Sequence, residues 1–484
     1  MNSQTVRQPD NKRPIRPNKS KKYIKQTARF EGRRDGKPLI FGWGGHLSHK
    51  EKVQLQRRAT WVTAIVVGLL IVAVFVGYWI NINIITPGLP ITSVNGHQIP
   101  QSLYRKMAAF DAQLESNKLY GANGLTAKSK NMTKQLADEQ KQFDTLTKQV
   151  NDLNTQIKKL PANSSQLPAL KQQLKDVQKQ QADQQSKASL LAQQIQQINK
   201  NDIPQQQTRY TQSQVANDSA TWLQNDELIR EWLQKQSSSI QAQINPSSSA
   251  IAHALSDFKA NLPVGTSYNA YLSKDGVSDG DIQQMVAIKV RRDNMQTYLA
   301  SQVQSPTYQV LARTMTIDTK AHAQQILKQL TDKSHPADFG ALAKQKSVDT
   351  NTNTQGGSLG WLARGQYAQT YSQAIVENWM FDRSRTIDEI SPVMLENGSY
   401  HITQILGIDP SRAVDKTTLQ SLETNALSNW LLEQQALPSI TMTPLDQDKL
   451  LDPANLPSDL HAGAPSPNGP GGAPGIPGGV PAQP

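Results

Sequence analysis

The side chains best suited to chemistry are Asp349, the glycine-rich run Gly356–Gly360 and His401. A carboxylate and an imidazole can transfer protons or form hydrogen bonds on the polar side of a pocket. The glycine run lacks the spacing of a phosphate-binding loop, and the sequence contains no HExxH, no paired metal carboxylates, no histidine cluster and no G-x-S-x-G. The sequence therefore excludes phosphate binding by this loop and predicts no metal and no cofactor.

The chain contains no cysteine. This absence excludes a disulfide framework, a thiolate zinc site and a catalytic thiol. It also fits a protein that works in an oxidising compartment, where a free thiol would be a liability.

Four spaced motifs surround these residues. They are Ser347-Val-Asp349, Gly356-Gly-Ser-Leu-Gly-Trp-Leu-Ala-Arg-Gly-Gln366, Ile390-Ser-Pro-Val393 and Gly398-Ser-Tyr-His-Ile402. In order and spacing the series resembles the parvulin family of peptidyl-prolyl isomerases, whose pattern runs S-x-D/C, G-G-x-L-G-x-x-x-x-G, I-S-x-P-V and G-x-H-I-I. The third motif is one residue shorter here and the fourth one longer. The resemblance covers roughly residues 306–408.

The resemblance implies roles for individual residues. Asp349 falls where parvulins carry an acidic residue or a cysteine, and His401 falls on the histidine of the last strand. Thr314 stands where the first strand usually carries a second histidine, so it replaces an imidazole with a hydroxyl. The implied substrate-binding set is Leu359, Leu362, Gln366, Tyr367 and Tyr371.

The implied reaction is rotation about X-Pro peptide bonds. Partial double-bond character gives this rotation a barrier of about 18–20 kcal/mol. An apolar pocket that twists and desolvates the amide lowers the barrier without a covalent intermediate. The alternative for His401 is a strand histidine whose hydrogen bonds are merely satisfied.

The N-terminal part of the chain predicts a membrane anchor. Residues 1–58 carry 16 Lys/Arg and 4 Asp/Glu, and residues 59–85 are uncharged and mainly apolar. About 20 apolar residues span a bilayer, and the positive-inside rule places the basic tail in the cytoplasm. A cleaved signal peptide is the alternative, which the long basic region opposes. Residues 1–58 are expected to be disordered and to attract anionic lipids rather than nucleic acid.

Residues 127–204 predict a coiled coil. Apolar residues recur at steps of three and four, and the loop Pro161–Pro168 interrupts them halfway. Two arms of similar length favour an antiparallel hairpin, and the central prolines argue against a parallel dimer.

Around these segments the sequence predicts further helices and one compact α+β domain. A strand at 308–317, two helices and a hairpin around Asn397-Gly398 indicate the parvulin-like domain, an antiparallel sheet with surrounding helices. The flanking helices and the segment Ile91–Pro100 look like the SurA-type chaperone domain of the SurA, PrsA and PpiD foldases. The predicted domains are 1–58 (tail), 59–85 (anchor), 86–305 (helical chaperone domain with the 127–204 insertion), 306–410 (parvulin-like), 411–450 (one helix packing on the chaperone domain) and 451–484 (Pro/Gly-rich disordered tail).

The function predicted from this layout is a single-pass, membrane-anchored extracytoplasmic foldase that isomerises X-Pro bonds in newly exported polypeptides. Its predicted partners are unfolded chains and membrane lipids, with the coiled coil as a candidate contact for the secretion machinery. The first alternative is a chaperone or scaffold that uses the parvulin fold for binding only. The second is a structural protein of the cell envelope with a wall-crossing tail.

Overall fold

A computed structural model describes residues 33–34, 37–38 and 48–460. The chain divides into two units, Met1–Asn83 and Ile84–Pro484. In the first unit, strands β1 (Arg33–Arg34) and β2 (Lys37–Pro38) pair antiparallel. The rest of the predicted disordered tail up to residue 47 lies outside the described residues.

Helix α1 (His49–Ile80) contains the predicted anchor, and a π-helical turn at Asn81–Ile85 follows it. Among the described residues, one helical stretch, Val53–Gly88, is long and apolar enough to cross a membrane. The helix begins at His49, which corrects the prediction that disorder extends to residue 58. The basic residues Arg57 and Arg58 therefore lie on the helix itself.

The second unit begins with a helical domain. Strands β3 (Pro90–Val94) and β4 (His97–Pro100) form a hairpin around Asn95-Gly96. Buried side chains of the surrounding helices form the core of this domain, including Phe110, Leu223 and Met285. The helices are α2 (Thr86–Gly88), α3 (Gln101–Tyr120), α6 (Ile203–Arg209), α7 (Gln212–Leu233), α8 (Ser238–Ile244), α9 (Ser248–Ala260), α10 (Tyr268–Asp275) and α11 (Asp279–Gln302).

Helices α4 (Leu125–Lys159) and α5 (Leu167–Gln197) form a long antiparallel hairpin. At its base the Ser129 hydroxyl donates to Asn199 Oδ1 at 2.7 Å. Midway along the arms the Gln181 amide donates to Thr147 Oγ1 at 2.8 Å. Ser129 comes before Thr147 in the chain, whereas its partner Asn199 comes after Gln181, so the two arms run in opposite directions.

A four-stranded sheet organises the parvulin-like domain, with strand order β6-β5-β8-β7 and antiparallel pairing throughout. One apolar core lies between the sheet and α12–α13, and another includes side chains from α14 and α15. The Asn397-Gly398 turn between β7 and β8 has φ of +50° and +76°, as a type I′ turn requires. The elements are β5 (Thr307–Ile317), α12 (Lys320–Leu330), α13 (Phe339–Lys346), β6 (Ser358–Ala363), α14 (Gln366–Tyr371), α15 (Ala374–Met380), β7 (Met394–Glu396) and β8 (Ser399–Arg412).

The C-terminal segment returns to the helical domain. The predicted single helix is two, α16 (Lys416–Thr424) and α17 (Ala426–Gln435), because the chain bends at Asn425. Leu427 and Leu431 pack with Leu228 and Met295 of the helical domain. Backbone hydrogen bonds then join residues 441–443 to the β3–β4 hairpin.

The predicted disordered tail begins later than residue 451. Helix α18 (Gln447–Leu450) is followed by a 3-10 turn at Pro453–Asn455, and Leu460 is buried in the core of the helical domain. The Tyr210 hydroxyl donates to Asp459 Oδ2 at 2.7 Å. Residues 461–484 lie outside the described residues.

Candidate functional site

A patch of four polar side chains lies on one face of strands β5 and β8. The register pairs Thr314 with Thr403 and Thr316 with His401. Residues two apart on a strand share a face, so all four side chains point the same way. The hydroxyls of Thr314 and Thr403 lie 3.0 Å apart, and Thr316 Oγ1 lies 3.3 Å from His401 Nδ1. His401 therefore contacts Thr316 rather than Thr314, the residue at the position of the missing histidine.

The His401 ring is fully buried. Its Nε2 lies 3.4 Å from the carbonyl oxygen of Glu396, which can only accept. These partners assign the ring proton to Nε2 and leave Nδ1 to accept from the Thr316 hydroxyl. Burial lowers the pKa of His401 below its usual value, against the opposing effects of the Glu396 carbonyl and the Asp349 charge. The imidazole is therefore neutral at neutral pH.

Asp349 lies in the loop after α13, and a hydrogen bond joins this loop to β5. The backbone N–H of Thr316 donates to Ser347 Oγ at 3.1 Å. The Asp349 carboxylate is half-buried and accepts from Asn351 N at 3.0 Å and from Thr352 Oγ1 at 2.6 Å. The Asp349 charge opposes the lowering of the His401 pKa and adds to the raised pKa of Tyr367 and of Tyr371.

An apolar wall stands beside the polar patch. Leu359 and Leu362 of β6 join Tyr367 and Tyr371 of α14 in one cluster with Met394, which is paired with His401 across the sheet. The two tyrosine rings lie 4.7 Å apart between centroids. Tyr367 is buried and donates to Gln373 Oε1 at 2.5 Å, whereas the two leucines and Tyr371 remain partly exposed. The partly exposed sides of Leu359, Leu362 and Tyr371 form one apolar surface beside the patch, called the groove below.

The turns around the groove are held by buried hydrogen bonds. The Glu377 carboxylate of α15 accepts from the backbone N–H groups of Gly365 and Ala368, and burial raises its pKa to about 7. Gln366 Oε1 accepts from the backbone N–H of Ala363 at 2.5 Å. The Gln366 carbonyl group is thus engaged in the β6–α14 turn, whereas its predicted role was substrate binding.

The glycine motif has a structural role at Thr314. Gly357 has φ of +80°, and a Cβ on it would lie 2.1 Å from the Thr314 carbonyl oxygen. The Thr314 N–H donates to the Gly357 carbonyl at 2.8 Å. Glycine at this position lets the loop pack directly on β5 and so places Leu359 beside the patch.

The structure brings together most of the residues that the motifs indicated. Thr314 and His401 lie on one face of the sheet, the two leucines and two tyrosines share one apolar cluster, and Asp349 lies in a loop joined to β5 through Ser347. Sequence reasoning missed Thr316, Thr403 and Glu377. The first two could have been found from strand alternation, since each lies two residues from a predicted site residue.

Comparisons with known proteins place the domain in a family. Residues 310–406 match the family model described as the PPIC-type PPIASE domain, or rotamase. Chaperone SurA from Shewanella sp. (strain MR-7) is 30% identical over 125 residues, which are 24% of this chain and 27% of the relative. SurA from Shewanella oneidensis matches equally, so the chain spans about a quarter of the length of these relatives.

Solved structures show partial likeness. PrsA, a peptidylprolyl isomerase from Bacillus anthracis, is 19% identical with a TM-score of 0.24, over 44% of this chain and 89% of that one. A SurA-like chaperone from Campylobacter jejuni is 16% identical with a TM-score of 0.19, over 44% and 87%. Residues 310–406 are a parvulin-type domain, as the motifs predicted.

Proposed function

We propose that this protein is a membrane-anchored extracytoplasmic foldase that isomerises X-Pro bonds in exported polypeptides. One observation carries the proposal. In the PPIC-type segment, a partly exposed apolar groove lies beside a buried polar patch that contains a neutral histidine. Such a pocket can accept a proline ring on one side and form hydrogen bonds with the twisting amide on the other.

The mechanism follows from the loss of amide conjugation at the transition state. Twisting the C–N bond reduces charge separation, so an apolar, desolvating groove stabilises the twisted amide relative to the planar one. The proline ring would pack against Leu359, Leu362 and Tyr371. The neutral His401 ring, held by Thr316, adds no charge to the polar side, while the carboxylate of Asp349 would act on the amide through its negative charge. No step requires a nucleophile.

The absence of the first imidazole is expected to reduce the rate without abolishing it. Thr314 supplies a hydroxyl that both donates and accepts, but it cannot form an imidazole pair with His401. Since binding lowers the barrier in this mechanism, we expect modest but measurable acceleration.

The test measures cis–trans exchange of a short X-Pro peptide by NMR, with the full chain in detergent micelles. Uncatalysed exchange takes roughly 10–100 s at 25 °C, so acceleration is directly observable. His401→Ala and Asp349→Ala should lower the rate, and Tyr371→Ala should weaken peptide binding. His322→Ala is the matched control, because His322 is an exposed histidine of the same domain. Wild-type protein without acceleration would refute the isomerase function.

A binding-only chaperone is the second candidate, and Thr314 is the observation that favours it. In that case the peptide would bind with Tyr371-dependent affinity while exchange stayed at the uncatalysed rate. The partly exposed groove would then bind extended chains without accelerating the exchange of their X-Pro bonds.

We also propose that the N-terminus is cytoplasmic and that residues after α1 are extracytoplasmic. The 16 basic residues among positions 1–58 and the apolar helix support this orientation. Because the chain lacks cysteine, Ser20→Cys and Ser466→Cys are clean topology probes. An impermeant thiol reagent should label Ser466→Cys and spare Ser20→Cys in intact cells, and the reverse pattern would overturn the orientation. Exported chains, anionic lipids and, through the α4–α5 hairpin, the secretion machinery are the proposed partners.

A further inference from the structure

The segment that follows Leu460 is chemically matched to the groove. Residues 461–484 contain seven prolines in 24 positions and no Lys, Arg, Asp or Glu. Two large apolar residues occur in the segment, Ile476 and Val480, and each directly precedes a proline. The segment thus offers uncharged, apolar X-Pro units of the kind that the parvulin-type groove is proposed to bind.

The structure fixes the point from which this segment starts. Leu460 is buried in the core of the helical domain, and Asn455 is 2% exposed. Asp459 Oδ2 accepts from the Tyr210 hydroxyl at 2.7 Å and from Lys274 Nζ at 2.6 Å. These contacts tether the following residues to the same unit that contains the groove.

The length of the segment gives it a long reach. Ile476 is 16 residues beyond Leu460, so it can lie up to roughly 55 Å from that point. Without the projecting α4–α5 arms the unit has about 300 residues, and a compact chain of that length has a radius of gyration of about 19 Å. A tethered ligand within reach acts at an effective concentration on the order of 1 mM. Even a weak motif would therefore occupy the groove for much of the time.

We propose that residues 475–481, Gly-Ile-Pro-Gly-Gly-Val-Pro, bind in the groove formed by Leu359, Leu362 and Tyr371 as an intramolecular ligand. The inference rests on the proposed function, since it assumes that the groove accepts X-Pro units. The segment competes with exported polypeptides, so only chains that are locally concentrated or better matched displace it. Residues 475–481 are thus an intramolecular competitor of exported polypeptides for the groove.

The experiment compares the full chain with a chain ending at Leu460, both in detergent micelles. The probe is a fluorescent decapeptide with one Ile-Pro bond, and the measurements are its Kd and its exchange rate. With an effective concentration of about 1 mM and a segment Kd of roughly 0.1–1 mM, the full chain should bind the probe about two- to tenfold more weakly. Leu460 is retained, so both proteins should unfold with the same cooperative transition.

Two proline variants of the full chain identify the motif. The double variant Pro477→Ala/Pro481→Ala should restore the affinity of the shortened chain. The matched control Pro465→Ala/Pro467→Ala removes two prolines that follow small residues and should keep the weaker affinity. A synthetic peptide of residues 461–484 should bind the shortened chain, and Tyr371→Ala should weaken that binding.

The outcomes separate this inference from the proposed function. If both chains bind and isomerise the probe equally, the intramolecular ligand is refuted and the foldase remains. If the shortened chain neither binds nor isomerises the probe, the proposed function fails and the inference fails with it.

Discussion

At the scale of single residues, the candidate site depends on hydroxyl groups that occupy the place of a second imidazole. Thr316 Oγ1 is the partner of His401 Nδ1, while Thr314 and Thr403 bond with each other. A hydroxyl satisfies a buried ring nitrogen without introducing a charge. The arrangement therefore keeps His401 neutral and fixed in one tautomer.

Thr316→Val removes this partner while conserving the shape of the side chain. An unpaired buried nitrogen costs about 1–3 kcal/mol, so the ring should change tautomer or rotate and the exchange rate should fall several-fold. Imidazole chemical shifts of His401 across pH 5–8 provide the readout. Thr403→Val is the control, since the Thr403 hydroxyl pairs with that of Thr314, and it should leave the His401 titration unchanged. Equal effects of the two variants would contradict the positioning role of Thr316.

Some site residues can be found from a short sequence pattern, whereas others depend on pairing between distant strands. The motifs indicated Asp349, His401 and the apolar wall because each lies within a short, spaced pattern. Thr316 pairs with a residue 85 positions away, and that register depends on a β-bulge between Leu311 and Ala312. No local pattern in the sequence specifies a register between strands so far apart.

At the scale of elements, α15 positions the wall of the groove through one buried carboxylate. Glu377 accepts from the N–H groups of Gly365 and Ala368 at the start of α14, the helix that carries Tyr367 and Tyr371. Acceptors at a helix N-terminus satisfy donors that have no partner within the helix.

Glu377→Gln should loosen this connection. The glutamine amide has one oxygen for two buried N–H groups, so one donor is left unpaired, and stability should fall by about 1–3 kcal/mol. Urea unfolding measures the loss, and the peptide Kd should rise as Tyr371 becomes less fixed. Glu433→Gln is the control, because its partner Arg364 is substantially exposed, and it should cost less than about 1 kcal/mol. A silent Glu377→Gln would show that α14 is held by packing alone.

The α4–α5 hairpin is predicted to be dispensable for folding. Replacing residues 134–194 with a short Gly/Ser linker keeps the Ser129–Asn199 hydrogen bond at the base. Because few hairpin residues are buried, the remainder should retain a cooperative thermal transition and bind the X-Pro peptide as before. Loss of that transition would mean that the arms form part of the core.

Element boundaries were predicted best where local chemistry sets them. The Ser278 side chain caps α11 in a capping box with Asp281, and both residues lie within four positions of each other in the sequence. The bend at Asn425 and the burial of Leu460 were missed, because both depend on contacts with the distant helical domain. The Pro and Gly content predicted disorder from residue 451, because composition carries no information about those contacts.

At the scale of the whole molecule, buried carboxyl groups determine how stability responds to pH. Burial, with the charges of Glu115 and Asp218, raises the pKa of Asp111 to about 7. Burial likewise raises the pKa of Asp275 to about 6 and that of Glu377 to about 7.

The folded protein should therefore lose stability as the pH rises from about 5 to 7.5. A raised pKa means that the folded state binds more protons than the unfolded state in this window. Each such carboxyl group therefore contributes its full stabilisation below its pKa in the unfolded state. That stabilisation is lost as the pH rises through its pKa in the folded state. His401 acts in the opposite sense below about pH 6.5, but three carboxyl groups outweigh it. Thermal melting against pH measures the trend. Asp111→Asn should flatten the dependence of the melting temperature on pH, and the control Asp382→Asn should leave it unchanged. A melting temperature that rises from pH 5 to 7.5 would contradict the raised carboxyl pKa values.

The hydrogen bonds between the β3–β4 hairpin and residues 441–443 have a consequence for the order of assembly. Asn95 N donates to the Thr441 carbonyl at 2.7 Å, and Thr443 N donates to the Ser93 carbonyl at 3.0 Å. A chain that emerges from its N-terminus delivers residues 441–460 late, so the helical domain stays open until then. The parvulin-type segment is contiguous and can close earlier. During its own synthesis, the protein would present its groove before its helical domain is complete.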